Sequence, residues 1–158
     1  LCYTMQMPEE EKYLMNKQEI LDQITTYLAG RAAEEVIFHN ITTGASNDIE
    51  KATELARNMV TQYGMSDRFD MVALESIQNK YLDGRNVRNC AETTSAEIDE
   101  EVLHIIKQCH KKAIELLEQN QKALHTIAAF LLEKETITGQ EFMTLLKQCN
   151  ETTEKELI

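Results

Sequence analysis

The sequence predicts a mainly α-helical protein. Only one proline and five glycines occur in 158 residues, so few positions break a helix. Leucine, alanine, glutamate and lysine are abundant, and apolar residues recur at steps of three and four along several segments. We therefore expect a single domain over residues 1–158, with a long helix pair, a C-terminal helical hairpin, a terminal helix and at most short strands.

The first long helix is predicted over residues 16–38. Gly30 and its neighbouring alanines would let another backbone approach closely. Glu34 follows Tyr27 by seven residues, so it shares the apolar side of the helix, where a carboxylate needs a partner. That partner could be Arg31 or a metal-bound histidine outside this chain. The apolar stripe comprises Ile20, Leu21, Ile24, Tyr27, Leu28, Ala32 and Val36.

A second helix is predicted after a tight polar loop at residues 42–44. Ser46 and Asn47 are the expected N-terminal caps, with Glu50 three residues after Asn47, and Gly64 is expected to end the helix. The apolar stripe comprises Ile49, Ala52, Ala56, Met59, Val60 and Tyr63.

Asp48 lies in the first turn of this second helix. The helix dipole favours a carboxylate there, and capping or dipole effects are the usual reason for an aspartate at such a position. However, Asp48 is one turn before Ala52 and therefore lies at the rim of the buried face. A carboxylate at that rim can point towards a group held between elements, such as a metal ion.

Two segments are predicted to be irregular. Residues 1–8 are expected to be extended and end at the only proline, and residues 65–93 contain several turn-forming residues. Within the second segment, residues 71–75 could form a short strand or a helix end.

A third helix is predicted to begin at Thr94, which makes a capping box with Glu97. Asn120 interrupts the pattern, and a further helix over residues 121–134 is expected to form a hairpin with the third. The stripe of the third helix comprises Ile98, Val102, Ile105, Cys109, Ala113 and Leu116, and that of the fourth Leu124, Ile127, Ala128, Leu131 and Leu132.

The last helix is predicted to follow a capping box formed by Thr138 and Glu141. Its apolar residues are Phe142, Leu145, Leu146 and Cys149. The C-terminal helices contain no group of residues with chemistry of its own. Their stripes are therefore expected to be core, with any remaining apolar surface used for subunit contacts.

Composition excludes several classes of function. A net charge of -11 and a pI near 4.8 argue against nucleic acid or an anionic lipid surface as a partner. No apolar run approaches the roughly 18 residues of a spanning helix and no signal peptide is visible, so we expect the chain to be soluble. Its four cysteines, Cys2, Cys90, Cys109 and Cys149, are scattered and indicate neither a disulfide framework nor a cysteine zinc site.

The four histidines do not form a chelating pair. His104 and His110 are six residues apart, which places them roughly 120° from each other around a helix. His125 lies farther along the chain. His39 is the only histidine close to Asp48 in sequence, and it is expected to be a solvent-exposed loop residue.

Several runs of this sequence resemble the peptidase domain of the membrane-anchored AAA zinc proteases of the FtsH type. They are AGRAAEEVIF, TTGASNDIEKATELARNMVTQYGMSDRF and VALE, with flanking similarity in LCYTMQMPEEEKYL, YLDGR, SAEIDEEV and LLEKETITGQEF, so the resemblance covers nearly the whole chain. It implies that Asp48 is the third protein ligand of a catalytic zinc ion and that Glu34 supports the zinc site from behind its ligands. The family more often has glycine at the position of His39.

The same resemblance implies that the zinc-site residues are divided between this sequence and a segment outside it. The family's two zinc-binding histidines and its general-base glutamate lie in an HExxH segment, and no HExxH occurs in this sequence. We therefore expect this chain to be the C-terminal part of the proteolytic domain of an ATP-dependent zinc metalloendopeptidase that degrades proteins. Alone it would be inactive and would bind zinc weakly or not at all, because a hydrolytic zinc site needs three protein ligands.

The whole protein would bind ATP through a module outside this chain. It would form a homo-hexamer at the cytoplasmic face of the cell membrane and contact the membrane only through segments outside these residues. The alternative is a catalytically inert helical module whose role is assembly. An HExxH-encoding segment upstream in the parent gene would distinguish the two.

Overall fold

The protein is described by a computed structural model over residues 14–78, 85–88 and 92–156, with side chains described within 14–75 and 92–149. Over these residues the fold is five α-helices, one 3-10 turn and one β-hairpin, which confirms the mainly α prediction. The expected extended segment at residues 1–8 lies outside the described part. The elements are α1 (Lys17–Phe38), the 3-10 turn (Thr43–Ala45), α2 (Ser46–Thr61), β1 (Glu75–Gln78), β2 (Arg85–Arg88), α3 (Glu92–Gln119), α4 (Gln121–Lys134) and α5 (Gly139–Glu156).

The hydrophobic core lies between α1, α2 and α3, each of which packs against the other two. Most of the predicted stripe residues of these helices are buried, but Tyr63 and Leu116 are 50% and 46% exposed, so their prediction as core was wrong. Tyr63 follows the end of α2, and Leu116 lies beyond the last buried residue of α3. The core comprises Ile20, Ile24, Leu28, Ala52, Ala56, Met59, Val60, Leu74, Ile98, Val102, Ile105 and Cys109.

The two C-terminal helices depart from the prediction. Few residues of α4 contact α3, and α4 packs mainly along α5, so the hairpin is α4 with α5 rather than α3 with α4. Ala123 is the only buried residue of α4, and Leu132 is 87% exposed. The expectation that the apolar stripe of α4 is core was therefore wrong, because the described residues offer it too little surface to pack against.

Helix starts follow the sequence in part. Asn16 and Glu19 form a capping box at α1, and Thr138 with Glu141 forms the one predicted at α5. The Thr94 box was wrong, because α3 already begins at Glu92.

The predicted caps of α2 were also wrong. Ser46 is already helical, and the residue before it, Ala45, has no capping side chain. Instead the 3-10 turn runs directly into α2, and the amide of Ser46 donates to the carbonyl of Thr43. The preceding turn thus takes the place of a side-chain cap at this helix start.

α2 ends at Thr61, three residues before its predicted stop at Gly64. The φ of Gly64, +59°, is the left-handed conformation that glycine adopts easily, and the amide of Met65 donates to the carbonyl of Met59 at 3.1 Å across the helix end. Gly30, in contrast, mediates no close approach among the described residues, since a Cβ built on it would meet none of their atoms within 4 Å. That prediction was wrong.

The β-hairpin begins where the sequence allowed either a strand or a helix end. Glu75 opens β1 and pairs with Arg88 of β2 in antiparallel register. The Glu75 side chain is only 6% exposed, and Arg57 of α2 approaches it at 3.4 Å while also bonding Asp99 of α3. Arg57 therefore ties the start of the hairpin to the helical core.

Among the described helices, none is long and apolar enough to cross a membrane.

Candidate functional site

Asp48 lies in the first turn of α2 and leaves its carboxylate available. The side chain is 50% exposed, and its nearest cationic partner is Lys51, whose Nζ lies 3.9 Å from Oδ1. Lys51 also lies over the ring of Tyr27, 5.9 Å from its centroid. Neither Ala45 nor Asp48 provides a capping hydrogen bond, so the usual structural use of an aspartate here is limited to the helix dipole. The carboxylate could therefore bind a cation without giving up a hydrogen bond among the described residues.

The loop before α2 is held to α1 through Thr42. Its amide donates to Glu34 Oε2 at 3.0 Å, and its hydroxyl donates to Glu34 Oε1 at 2.5 Å. The same hydroxyl accepts from the amide of Gly44 at 3.2 Å. Arg31 Nη2 donates to the Thr42 carbonyl at 2.8 Å. Every polar group of Thr42 therefore has a partner.

Glu34 uses both carboxylate oxygens on this loop. The Thr42 hydroxyl, followed by the Thr42 amide, holds the pKa of Glu34 below its usual value. Arg31, predicted as a partner of Glu34, lies 3.9 Å away from Nε to Oε2 and is therefore a weak direct partner. The predicted support of a zinc ligand by Glu34 stays a prediction. What the structure adds is that Glu34 fastens the segment leading to Asp48.

Among the described residues, the hydrogen bonds and ion pairs of the histidines do not involve Asp48. His39 is exposed and follows α1 with a φ of +50°, a left-handed conformation that glycine adopts most easily. His104 contacts Gln108 within α3, and His110 Nε2 lies 3.3 Å from Glu35 Oε1. His125 is exposed on α4. Within the described ranges, no three histidine, cysteine, aspartate or glutamate side chains are grouped so as to hold a metal ion.

A cavity of about 350 Å³ lies between the start of α1, the end of α2 and α3. Lys17 and Asp67, which both line it, are paired at 2.9 Å, and Glu101 accepts from the Ser66 hydroxyl at 3.0 Å. Arg68 binds Glu100 at 3.2 Å. The cavity does not include Asp48, and its paired charges give it no evident ligand.

Comparison with known proteins decides the family. The sequence model of peptidase family M41 matches residues 1–145. This chain belongs to peptidase family M41.

Curated M41 relatives match nearly the whole chain, which confirms the resemblance to FtsH-type proteases. The ATP-dependent zinc metalloprotease FtsH of Clostridium perfringens is 58% identical over 164 aligned residues, covering 99% of this chain and 23% of the relative. The protein of the same name from Lancefieldella parvula is 51% identical over 150 residues, covering 95% and 23%. That from Thermotoga maritima is 45% identical over 151 residues, covering 94% and 25%. The chain thus spans about a quarter of the length of these relatives.

Sequence reasoning proposed Asp48 and Glu34 as site residues and Arg31 as a possible partner of Glu34. It missed the contacts that Arg31 and Glu34 make with Thr42, which cross from α1 to the loop before α2. One signal was present: Arg31 and Glu34 are three residues apart and share a helix face. Nothing in the sequence identified the loop residue that both would bind.

Proposed function

We propose that this chain is the C-terminal part of the proteolytic domain of an ATP-dependent zinc metalloendopeptidase that degrades proteins. Membership of family M41 and the names of the relatives support this function. The observation on which it depends most is the carboxylate of Asp48, which stands at the start of a regular helix without a hydrogen bond among the described residues.

Asp48 is suited to zinc as one of its ligands. Carboxylate oxygens are common zinc ligands, and a ligand anchored on a helix is held more firmly than one on a loop. The exposed ion pair with Lys51 is weak and costs little to give up. The remaining ligands in this proposal are two histidines of an HExxH segment outside these residues. When bound, zinc lowers the pKa of its water towards ~7 and polarises the scissile carbonyl.

The proposal also includes ATP binding, membrane attachment and assembly of the whole protein. ATP would bind a module outside this chain, and membrane attachment at the cytoplasmic face of the cell membrane would come from other segments. A homo-hexamer is the proposed assembly, supported by the exposed apolar side chains that α4 and α5 carry, which are Leu131, Leu132, Phe142 and Met143.

The decisive variant is Asp48→Asn in the full-length protein. Asparagine keeps the size of the side chain and removes the anionic ligand, so zinc retention and proteolysis of an unfolded protein substrate should both be lost while the helical circular dichroism is unchanged. Asp67→Asn makes the same change at an almost fully exposed carboxylate and should leave both intact. Wild-type zinc retention and turnover in Asp48→Asn would refute the ligand role.

The 158-residue chain alone should hold zinc weakly or not at all. One carboxylate supplies one of the three protein ligands that a hydrolytic site needs. After purification in the presence of zinc and gel filtration, elemental analysis should find far less than one zinc per chain. Stoichiometric zinc that disappears in the Asp48→Asn variant would show that these residues complete a site by themselves.

A further inference from the structure

The contacts around Thr42 identify further residues that act on the candidate zinc ligand. We propose that Arg31, Glu34 and Thr42 are positioning residues that set where Asp48 lies relative to α1; this inference rests on the proposed function. Three hydrogen bonds from Arg31 and Glu34 to Thr42 join the last third of α1 to the loop before α2, and a fourth joins the Thr42 hydroxyl to the amide of Gly44. We call this set the Thr42 clamp.

The clamp acts on Asp48 through a short, regular path. Thr42 immediately precedes the 3-10 turn, and that turn leads into α2 without a break, so Asp48 is six residues from Thr42. Because no side chain caps α2, the placement of its first turn depends on the turn before it. Fixing Thr42 therefore fixes the start of α2 and the direction of the Asp48 carboxylate.

The α1 side of the clamp is built from a charged pair one helical turn apart. Arg31 and Glu34 have side chains only 17% and 24% exposed, so neither is an ordinary surface charge. Arg31 binds the carbonyl of Thr42 and Glu34 binds its amide, so the two residues hold opposite ends of one backbone unit. Charge-assisted hydrogen bonds of this kind are stronger and more directional than neutral ones.

The Thr42 hydroxyl is needed in two capacities. It donates to Glu34 and accepts from the amide of Gly44, so it links α1 to the 3-10 turn. A Cβ placed on Gly44 would lie 3.3 Å from this oxygen, which shows how closely the turn folds over it. Serine can replace both bonds, whereas valine, with nearly the same shape as threonine, can replace neither.

The test uses the full-length protein with Thr42→Val, Thr42→Ser and Arg31→Gln, and with Asp48→Asn as reference. Two quantities are measured: the rate of zinc release to a chelator and amide hydrogen exchange over residues 42–48. We expect Thr42→Val and Arg31→Gln to release zinc about ten- to a hundredfold faster, as outer residues of metal sites do when altered. Exchange should rise over 42–48 and stay unchanged over 52–60, and Thr42→Ser should restore both quantities.

Thr126→Val is the matched control, because the one hydrogen bond of the Thr126 hydroxyl among the described residues runs within α4 to the carbonyl of Lys122. It should leave zinc release and exchange over 42–48 unchanged. If the Thr42→Val protein does not fold, the test depends on the Arg31→Gln protein alone. Zinc release at the wild-type rate in the folded Thr42→Val or Arg31→Gln proteins would overturn the inference while Asp48→Asn still loses zinc. Retention of zinc by Asp48→Asn would instead overturn the proposed function, and this inference with it.

Discussion

Thr42 caps the 3-10 turn that leads into α2, whereas the sequence predicted Ser46 and Asn47 as caps of α2 itself. All three are residues that commonly cap helices, and they lie within six positions. Which one caps depends on α1, because Arg31 and Glu34 fix Thr42 in an extended conformation just before the 3-10 turn. A local pattern contains no information about a helix eleven residues away, so the cap could be predicted as a type but not as a position.

The acid sensitivity of the Thr42 clamp follows from Glu34. Its pKa is lowered from the ordinary 4.5 because the folded state supplies two donors to the carboxylate. The stabilisation is therefore complete above ~4.5 and is lost as the pH falls through the lower folded pKa. The difference in Tm between the wild-type chain and Glu34→Gln should be largest at about pH 7 and should shrink towards pH ~3.

Thermal melts followed by circular dichroism at several pH values would measure this difference. Glu54→Gln provides the control, since Glu54 is exposed on α2 and accepts no hydrogen bond within the described residues. Its Tm difference from wild type should stay small at every pH. A Glu34→Gln difference that does not change with pH would mean that the carboxylate form of Glu34 is not what the loop requires.

At the scale of elements, apolar periodicity predicted the helices well but their packing less well. Most residues in the stripes of α1 and α3 are buried as expected, because those helices face each other across the core. Leu116 of α3 is an exception. The stripe of α4 has the same period, yet none of its residues is buried, and the only buried residue of α4 is Ala123, outside the stripe. Periodicity reports that a helix has an apolar face, and it does not report whether the partner of that face lies in the same chain.

Gly30 offers a direct test of α1. It is exposed in the middle of this helix, and an added Cβ would contact nothing, so Gly30→Ala should gain the usual helix-propensity difference of about 0.5–1 kcal/mol. For a chain of this size the Tm should rise by roughly 1–4 °C. Gly64→Ala should have the opposite effect, because Gly64 has a φ of +59° and its Cβ would lie 3.2 Å from the backbone of Met71. A lower Tm for Gly30→Ala would show that α1 needs the glycine for a contact not seen among the described residues.

At the scale of the whole molecule, the mainly α-helical class could be predicted from composition and spacing, including its division at Asn120. The site roles of Asp48 and Glu34 came from resemblance and stay predictions. The contacts between α1 and the following loop could not be predicted, because Arg31 and Thr42 meet only after these two segments fold back on each other. The sequence therefore proposes residues for a site but not the geometry that connects them.

The α4–α5 pair provides the test of assembly. Leu132 is 87% exposed on a helix with one buried residue, which favours a contact with another subunit over a place in the monomer core. In the full-length protein, Leu132→Glu would place a charge in that contact and should weaken association by at least about tenfold, because an unpaired charge is costly to bury. Sedimentation velocity would detect the loss of the proposed hexamer.

Leu103→Glu is the matched substitution on α3, where Leu103 is 52% exposed. If subunits meet through the α4–α5 pair, this variant should assemble like the wild type and Leu132→Glu should not, with the same helical circular dichroism in both. Equal dissociation of the two variants would indicate a general effect of added charge on a chain that already carries a net charge of -11. If the Leu132→Glu protein assembled fully, α4 would not lie in the subunit contact. Its apolar face would then have a different partner.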